Sequence, residues 1–430
     1  MRKILVIGTI LMRLAAGPLP AHAQAVRDTL TLTLPQVEAQ FLQTNFALLA
    51  QKYAIEGARA GVVQAALFPN PVIQVEQQIT NRQIPETEGR LFPLRNGEQD
   101  VQIQQLVLLA GKRSKQINLA RLNAEQTEYQ FYDLIRTLSL DLRSSFFDIY
   151  FSQQALRMFD EEIPTIRRLV TAFQEQADKG NVAFKEVIRL QSFLLDLENG
   201  RTDLLRQLAD EQATLKVLIG DTSDRYLRTQ PDRAQLETLD PNALTLNQLA
   251  SIAQENRYDL RAAETNTRLG MANLALQKAL AVPDVALGLN YDKLAGYGTN
   301  YLGLTAQFAV PVFNRNQGNI RAAQAQSEAA KLLLSQSQTI VQNDLLRALV
   351  RVRESDRLYR AFDQRFIQNF DRLIDGVVTS YQRRNISLLE FTDFLESYRT
   401  SVIQLNGLQA DRMRAFEELN FAAGKKLFAY

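Results

Sequence analysis

Four short stretches alternate between apolar and polar residues with period two. In 72–79, Ile73, Val75 and Ile79 share one face and Gln74, Glu76 and Gln78 the other. In 101–109, Val101, Ile103, Val107 and Leu109 oppose Gln102 and Gln104. Val285, Leu287, Leu289 and Tyr291 oppose Ala286, Gly288, Asn290 and Asp292 within 285–292. In 301–310, Leu302, Leu304, Ala306, Phe308 and Val310 oppose Gly303, Thr305, Gln307 and Ala309. Each pattern predicts a strand with one oily and one polar face.

Elsewhere the apolar positions have helical spacing. Residues 112–179 contain no glycine and a single proline, Pro164, and carry Tyr132, Ile135, Leu138, Leu142, Phe146 and Ile149 on one stripe. A second long helix is predicted over about 319–382. There Val341, Leu345, Ala348, Val352, Ser355, Tyr359, Phe362 and Phe366 step by four and three alternately, the rhythm of supercoiled helices. Shorter helices are predicted over about 35–67, ended by Pro69 and Pro71; over 184–219, capped by Gly220; from about 244 to 281, ended by Pro283; and after the turn at 383–385, ending near Gly424. Residues 24–33 are expected to be an extended leader, and 221–243, with Pro231 and Pro241, a linker.

The same order of elements occurs twice. Leu244-Thr245-Leu246-Asn247-Gln248-Leu249 echoes Leu32-Thr33-Leu34-Pro35-Gln36-Val37. Asn385, Glu390 and Gly424 match Asn181, Glu186 and Gly220 at a constant offset of 204 residues. The chain is therefore divided into a signal peptide at 1–23, a first repeat at 24–220, a linker at 221–243 and a second repeat at 244–430. Each repeat reads helix, strand, strand, long helix, tip, helix. A helix of roughly 65 residues spans about 100 Å, so its apolar stripe must be buried against neighbours. Four strands with one oily face leave edges open. Three copies would supply twelve strands, an even number suited to a membrane barrel. The expected fold is mainly α, a trimeric tube with a transmembrane β-barrel at one end and a long α-helical barrel at the other.

Composition narrows the chemistry. Arg2 and Lys3, the apolar run Ile4 to Met12 and Ala21-His22-Ala23 form a secretory signal pattern. Its removal takes away three basic residues and no acidic one, leaving 46 basic against 47 acidic, so no nucleic-acid surface is expected. The single histidine, His22, leaves with the signal, and the chain contains no cysteine. No disulfide, catalytic thiol, imidazole base, cofactor or metal cage is expected, and the chain is not expected to be an enzyme. Met158, Met271 and Met413 are too widely spaced for a copper relay. No transmembrane helix is expected, which for an exported chain leaves a periplasmic protein or an outer-membrane barrel.

The duplication, the Pro-ended strand pairs, the Asn-centred tips and the segment Pro311-Val312-Phe313-Asn314-Arg315-Asn316-Gln317-Gly318 resemble the TolC-type outer membrane efflux family, in particular its CzcC/CusC heavy-metal branch. The resemblance covers nearly the whole chain after the signal peptide. It implies a homotrimeric passive exit duct in the outer membrane, its helical barrel projecting into the periplasm. It also implies partners: a periplasmic adaptor and an inner-membrane pump of the RND type. Matching tip to tip, it places acidic pore-constriction candidates at Glu390 and Asp393, three apart on one helix face. Threefold repetition would bring six carboxylates around one axis, a common selectivity device, although an ordinary solvated helix face has the same spacing. Asp393 corresponds to Arg189 in the first half, so the acidic pair is not duplicated. The tips offer Lys179, Gly180, Asn181, Arg383, Arg384 and Asn385 as adaptor-contact candidates. Heavy-metal cations lead as cargo. The alternatives are the same duct for drugs or secreted polypeptides, or a soluble periplasmic coiled-coil scaffold.

Overall fold

A computed structural model of the chain describes residues 28–78, 98–295, 298–362, 373, 376–383 and 385–428. The signal pattern at 1–23, the loop at 79–97 and part of the second long helix lie outside them.

Four strands form one antiparallel sheet: β2 (Val72–Gln77), β3 (Gln99–Val107), β5 (Val285–Ala295) and β6 (Gly298–Phe308), in the order β2-β3-β5-β6. The β3–β5 pairing joins the two halves of the chain. Cross-strand rows follow the predicted alternation. Ile73, Ile103, Leu289 and Leu304 lie opposite one another, as do Val75, Val101, Tyr291 and Leu302. The intervening row is Gln74, Gln102, Asn290 and Gly303. The apolar face is bare in the protomer: Val75 is 66% and Leu304 80% exposed, values that core residues never have.

The helices run away from this sheet. α3 (Lys112–Asp178) is continuous for 67 residues, through Pro164, and so is about 100 Å long. It is followed by α4 (Phe184–Ile219), which packs back along it. In the second half α8 (Gln317–Ala361), helical residues 376–382 and α9 (Leu388–Ala423) repeat that order.

Three predicted helices are interrupted: the long one over about 319–382 stops at Ala361, where Phe362 is extended, and two shorter ones are each broken. The span 35–67 is α1 (Leu34–Thr44) and α2 (Phe46–Ala66), and the span 244–281 is α6 (Leu246–Asn256) and α7 (Tyr258–Leu280). The breaks fall at Asn45 and Arg257, where the backbone is extended. The cause is tertiary. The carbonyl end of α4 abuts the first break, where Asn45 donates its side-chain amide to the Leu218 carbonyl at 2.9 Å and Thr44 donates its hydroxyl to that of Ile219. At the second break the Arg257 guanidinium donates to the Ala422 carbonyl of α9 at 3.3 Å and pairs with Asp259 and Asp344. Side-chain donors at each break thus satisfy carbonyls at the C-terminal end of the abutting helix, which have no intrahelical partner.

The leader and linker also hold more structure than predicted. β1 (Thr29–Leu32) pairs in parallel with β4 (Tyr226–Thr229), and α5 (Arg233–Glu237) precedes a single 3₁₀ turn at Pro241–Ala243. Four residues apiece are too short for a period-two signal. The linker is pinned by Arg412, whose guanidinium donates to the Leu236 carbonyl at 3.0 Å while paired with buried Asp356 at 2.8 Å. The Leu-Thr-Leu echo has a concrete role. Gln36 and Gln248 each accept the backbone N–H of the threonine three residues earlier at 2.9 Å, starting α1 and α6 alike.

Apolar burial is concentrated in two clusters. One surrounds the broken helices, with Phe41, Phe146, Leu215, Leu249 and Phe416. The other lies toward the tips, with Phe159, Ile166, Leu190, Phe391 and Leu395.

Candidate functional site at the paired helical tips

The first tip is built by a Schellman turn. α3 ends at Asp178, Lys179 caps it, and Gly180 takes the left-handed conformation at φ 75°. Gly180 N–H then donates to the Ala177 carbonyl and Asn181 N–H to that of Gln176, both at 2.9 Å. The Asn181 side-chain amide donates to Gln176 Oε1 at 2.9 Å, a further tie across the turn. Asn385 N–H donates to the Ser380 carbonyl at 2.9 Å, the same closure at the repeat offset. Lys179, Gly180, Asn181, Arg383 and Asn385 are all exposed at these turns; Arg384 lies outside the described residues.

The two tips differ in how the return helix begins. α4 starts at Ala183 with no side-chain cap, whereas α9 starts at Ser387 with a full capping box. Ser387 donates its backbone N–H and its hydroxyl to Glu390 Oε2, each at 2.8 Å, and its hydroxyl oxygen accepts from Glu390 N–H at 3.2 Å. The Ser387 backbone donor, then its hydroxyl, hold the Glu390 carboxyl below the usual carboxylate range. Glu390 is thus a helix-capping group as well as a pore-constriction candidate. Ser387-Leu388-Leu389-Glu390 is itself a capping-box motif, so this role was readable from sequence. Asp393 is exposed one turn further along α9.

Behind the tips lies an aromatic stack that the apolar spacing did not single out. Tyr381 is stacked between Phe173 of α3 at 5.3 Å and Phe391 of α9 at 4.3 Å, with interplanar angles of 11° and 14°. The Tyr381 hydroxyl is buried without a hydrogen-bond partner, and burial, then the nearby Glu186 charge, push its pKa up. Arg399 of α9 pairs with Asp196 of α4, tying the two return helices together.

Among the described residues no group of three or more His, Cys, Asp or Glu side chains is placed to hold a metal ion, and no helix is long and apolar enough to cross a membrane. The polar face of the sheet has one sign of charge. Glu76, Asp100 and Asp292 form one cross-strand row, and no described strand residue on that face is basic.

A duplicated protomer with long helical hairpins at one end and an unpartnered, one-face-apolar antiparallel sheet at the other has the architecture of TolC-type proteins. Residues 249–425 match the model of the family described as Outer membrane efflux protein. It is 19% identical over 369 residues to the cobalt-zinc-cadmium resistance protein CzcC of Cupriavidus metallidurans, covering 86% of this chain and 84% of the relative. It is 25% identical over 203 residues to the pyoverdine export outer membrane protein OpmQ of Pseudomonas putida, covering 45% of this chain and 42% of that one. Among solved structures, CusC superposes with a TM-score of 0.70 at 16% identity, over 91% of this chain and 92% of that chain.

Proposed function

We propose that the protein is the exit duct of a tripartite efflux system. In this reading three copies close a twelve-stranded barrel in the outer membrane and a helical barrel in the periplasm. The apolar rows through Ile103 and Val101 meet lipid, and the row of Glu76, Asp100 and Asp292 lines the lumen. The tips at Lys179–Asn181 and Arg383–Asn385 dock on a periplasmic adaptor that couples the duct to an RND-type inner-membrane pump. The duct performs no chemistry; it conducts passively.

The observation that supports cations as cargo is the charge of the lumen-facing sheet surface. Three carboxylates per protomer and no described basic side chain make nine negative groups around a closed barrel, a field that raises local cation concentration. Heavy-metal cations follow from the likeness to CzcC.

The trimer reconstituted in planar bilayers is expected to show cation selectivity in a salt gradient, and Asp100→Asn with Asp292→Asn should shift the reversal potential toward zero. Anion selectivity in the unmodified protein would overturn the cation reading, and absence of any pore would overturn the duct.

A further inference from the structure

Glu162 is the least satisfied charged group in the described structure. It lies on α3, is 7% exposed, and neither carboxyl oxygen has a hydrogen-bond partner. A bare carboxylate in such a place is expensive, and its cheapest relief is a proton. Two residues further along is Pro164, the one proline inside α3. It has no N–H to offer the Asp160 carbonyl, so the helix is weakest at this point. Beside Glu162 runs a groove of ≈ 850 Å³ between α3, helical residues 376–382 and α9, lined by Met158, Ile166, Leu169, Val378 and Leu395. A buried acid, a weakened helix and an unfilled groove therefore coincide just behind the tips.

We propose that Glu162 and Pro164 form a proton-operated hinge in α3: uncharged Glu162 seals the seam between α3, helical residues 376–382 and α9, and its ionisation opens that seam. The surroundings favour a proton over a larger cation. Arg168 lines the groove, and the positive field of Arg399 from α9 reaches the carboxyl. On α3 itself the nearby charges are Asp160 and Glu161, with Asp160 held by Arg201. α4 contributes Asp196, which engages Arg399, and α9 contributes Arg399, Glu396 and Tyr398. Helical residues 376–382 contribute Tyr381, whose hydroxyl is buried, and uncharged Thr379 and Gln382.

The sign follows from linkage. Burial first, with Glu161 adding to it against Arg399, raises the Glu162 pKa from 4.5 to about 8 in the closed seam. In an opened seam the hydrated carboxyl returns to its ordinary value. The closed form then binds the extra proton between those two values, so closure weakens by up to about tenfold per pH unit across that window and no further above it. Given the duct reading on which its consequence rests, the hinge makes the periplasmic mouth easier to open as pH rises.

The test is a distance measurement by pulsed electron paramagnetic resonance on the full-length trimer. The chain has no cysteine, so Thr171→Cys on α3 and Ser397→Cys on α9 are the sole label sites, and trimers diluted with unlabelled protomers isolate the distance across this seam. A longer-distance population should grow at least several-fold between pH 5.5 and pH 8.5. Glu162→Gln, which is neutral at both values, should hold the short distance throughout. Pro164→Ala retains the acid and should keep the pH midpoint with a smaller amplitude, so the hinge stays testable even where the glutamine variant fails to assemble. Distances independent of pH in the unmodified seam, or an unchanged response in Glu162→Gln, would overturn the switch. Conductance is recorded separately. A pH-driven seam in a protein that forms no pore would uphold the hinge and defeat the duct, and a pore with an unresponsive seam would do the reverse.

Discussion

Glu390 and Glu162 are both acidic residues near a tip, and their surroundings push them in opposite directions. Glu390 is fully exposed and held by Ser387, so its charged form is favoured and its pKa lies below the ordinary value. The contribution of that contact is present above the unfolded pKa and is lost as pH falls through the lowered one. The first turn of α9 should therefore fray in acid. Ser387→Ala removes a helix cap worth about 1 kcal/mol and should produce the same fraying at neutral pH, read as faster hydrogen exchange at 388–391. Exchange unchanged by the substitution would show that the capping box does not hold the tip. The motif Ser-x-x-Glu made this legible in the sequence. Glu162 was not legible: it sits in a run of charged and apolar residues, Asp160 to Ile163, and only the tertiary packing reveals that its carboxyl is enclosed.

Among the elements, the period-two strands and the long uninterrupted α3 were legible because each carries many residues of one pattern, and burial enforces the pattern along its whole length. The breaks at Asn45 and Arg257 were hidden because no glycine or proline marks them; they answer to a helix end arriving from elsewhere in the chain. That arrangement assigns different roles to three helix-ending glycines. Gly180, Gly220 and Gly424 all have positive φ, at 75°, 63° and 72°. A Cβ on Gly180 would meet open space, whereas on Gly220 it would lie 2.8 Å from the Thr44 carbonyl and on Gly424 2.9 Å from that of Asn256. Alanine at Gly180 should cost only the left-handed penalty, about 1–2 kcal/mol. Alanine at Gly220 or Gly424 must also push apart the helix breaks and should cost more. Thermal unfolding of the three variants in detergent checks the order; equal losses would show that the close approach at the breaks contributes nothing.

At the scale of the whole molecule, the protomer is incomplete by its own chemistry. Its sheet exposes a largely apolar face and two unpaired edges, at β2 and β6; in the proposed trimer, closure pairs the edges and the membrane covers the face. The tip acids acquire meaning only on that axis. In one protomer Glu390 and Asp393 are two exposed carboxylates on α9; in the proposed trimer they would be six, placed around the periplasmic opening. The structure adds a distinction between them. The Glu390 charge is partly answered by Ser387 and by the positive end of the α9 dipole, whereas Asp393 lies beyond the first turn, where that dipole has faded. Asp393→Ala should therefore relieve divalent-cation block of the open trimer more than Glu390→Ala, and the double substitution should relieve it most. Single-channel recordings with a divalent cation added on the tip side decide the matter. Equal block in the unmodified and doubly substituted trimers would remove the ring from the mechanism and leave the barrel untouched.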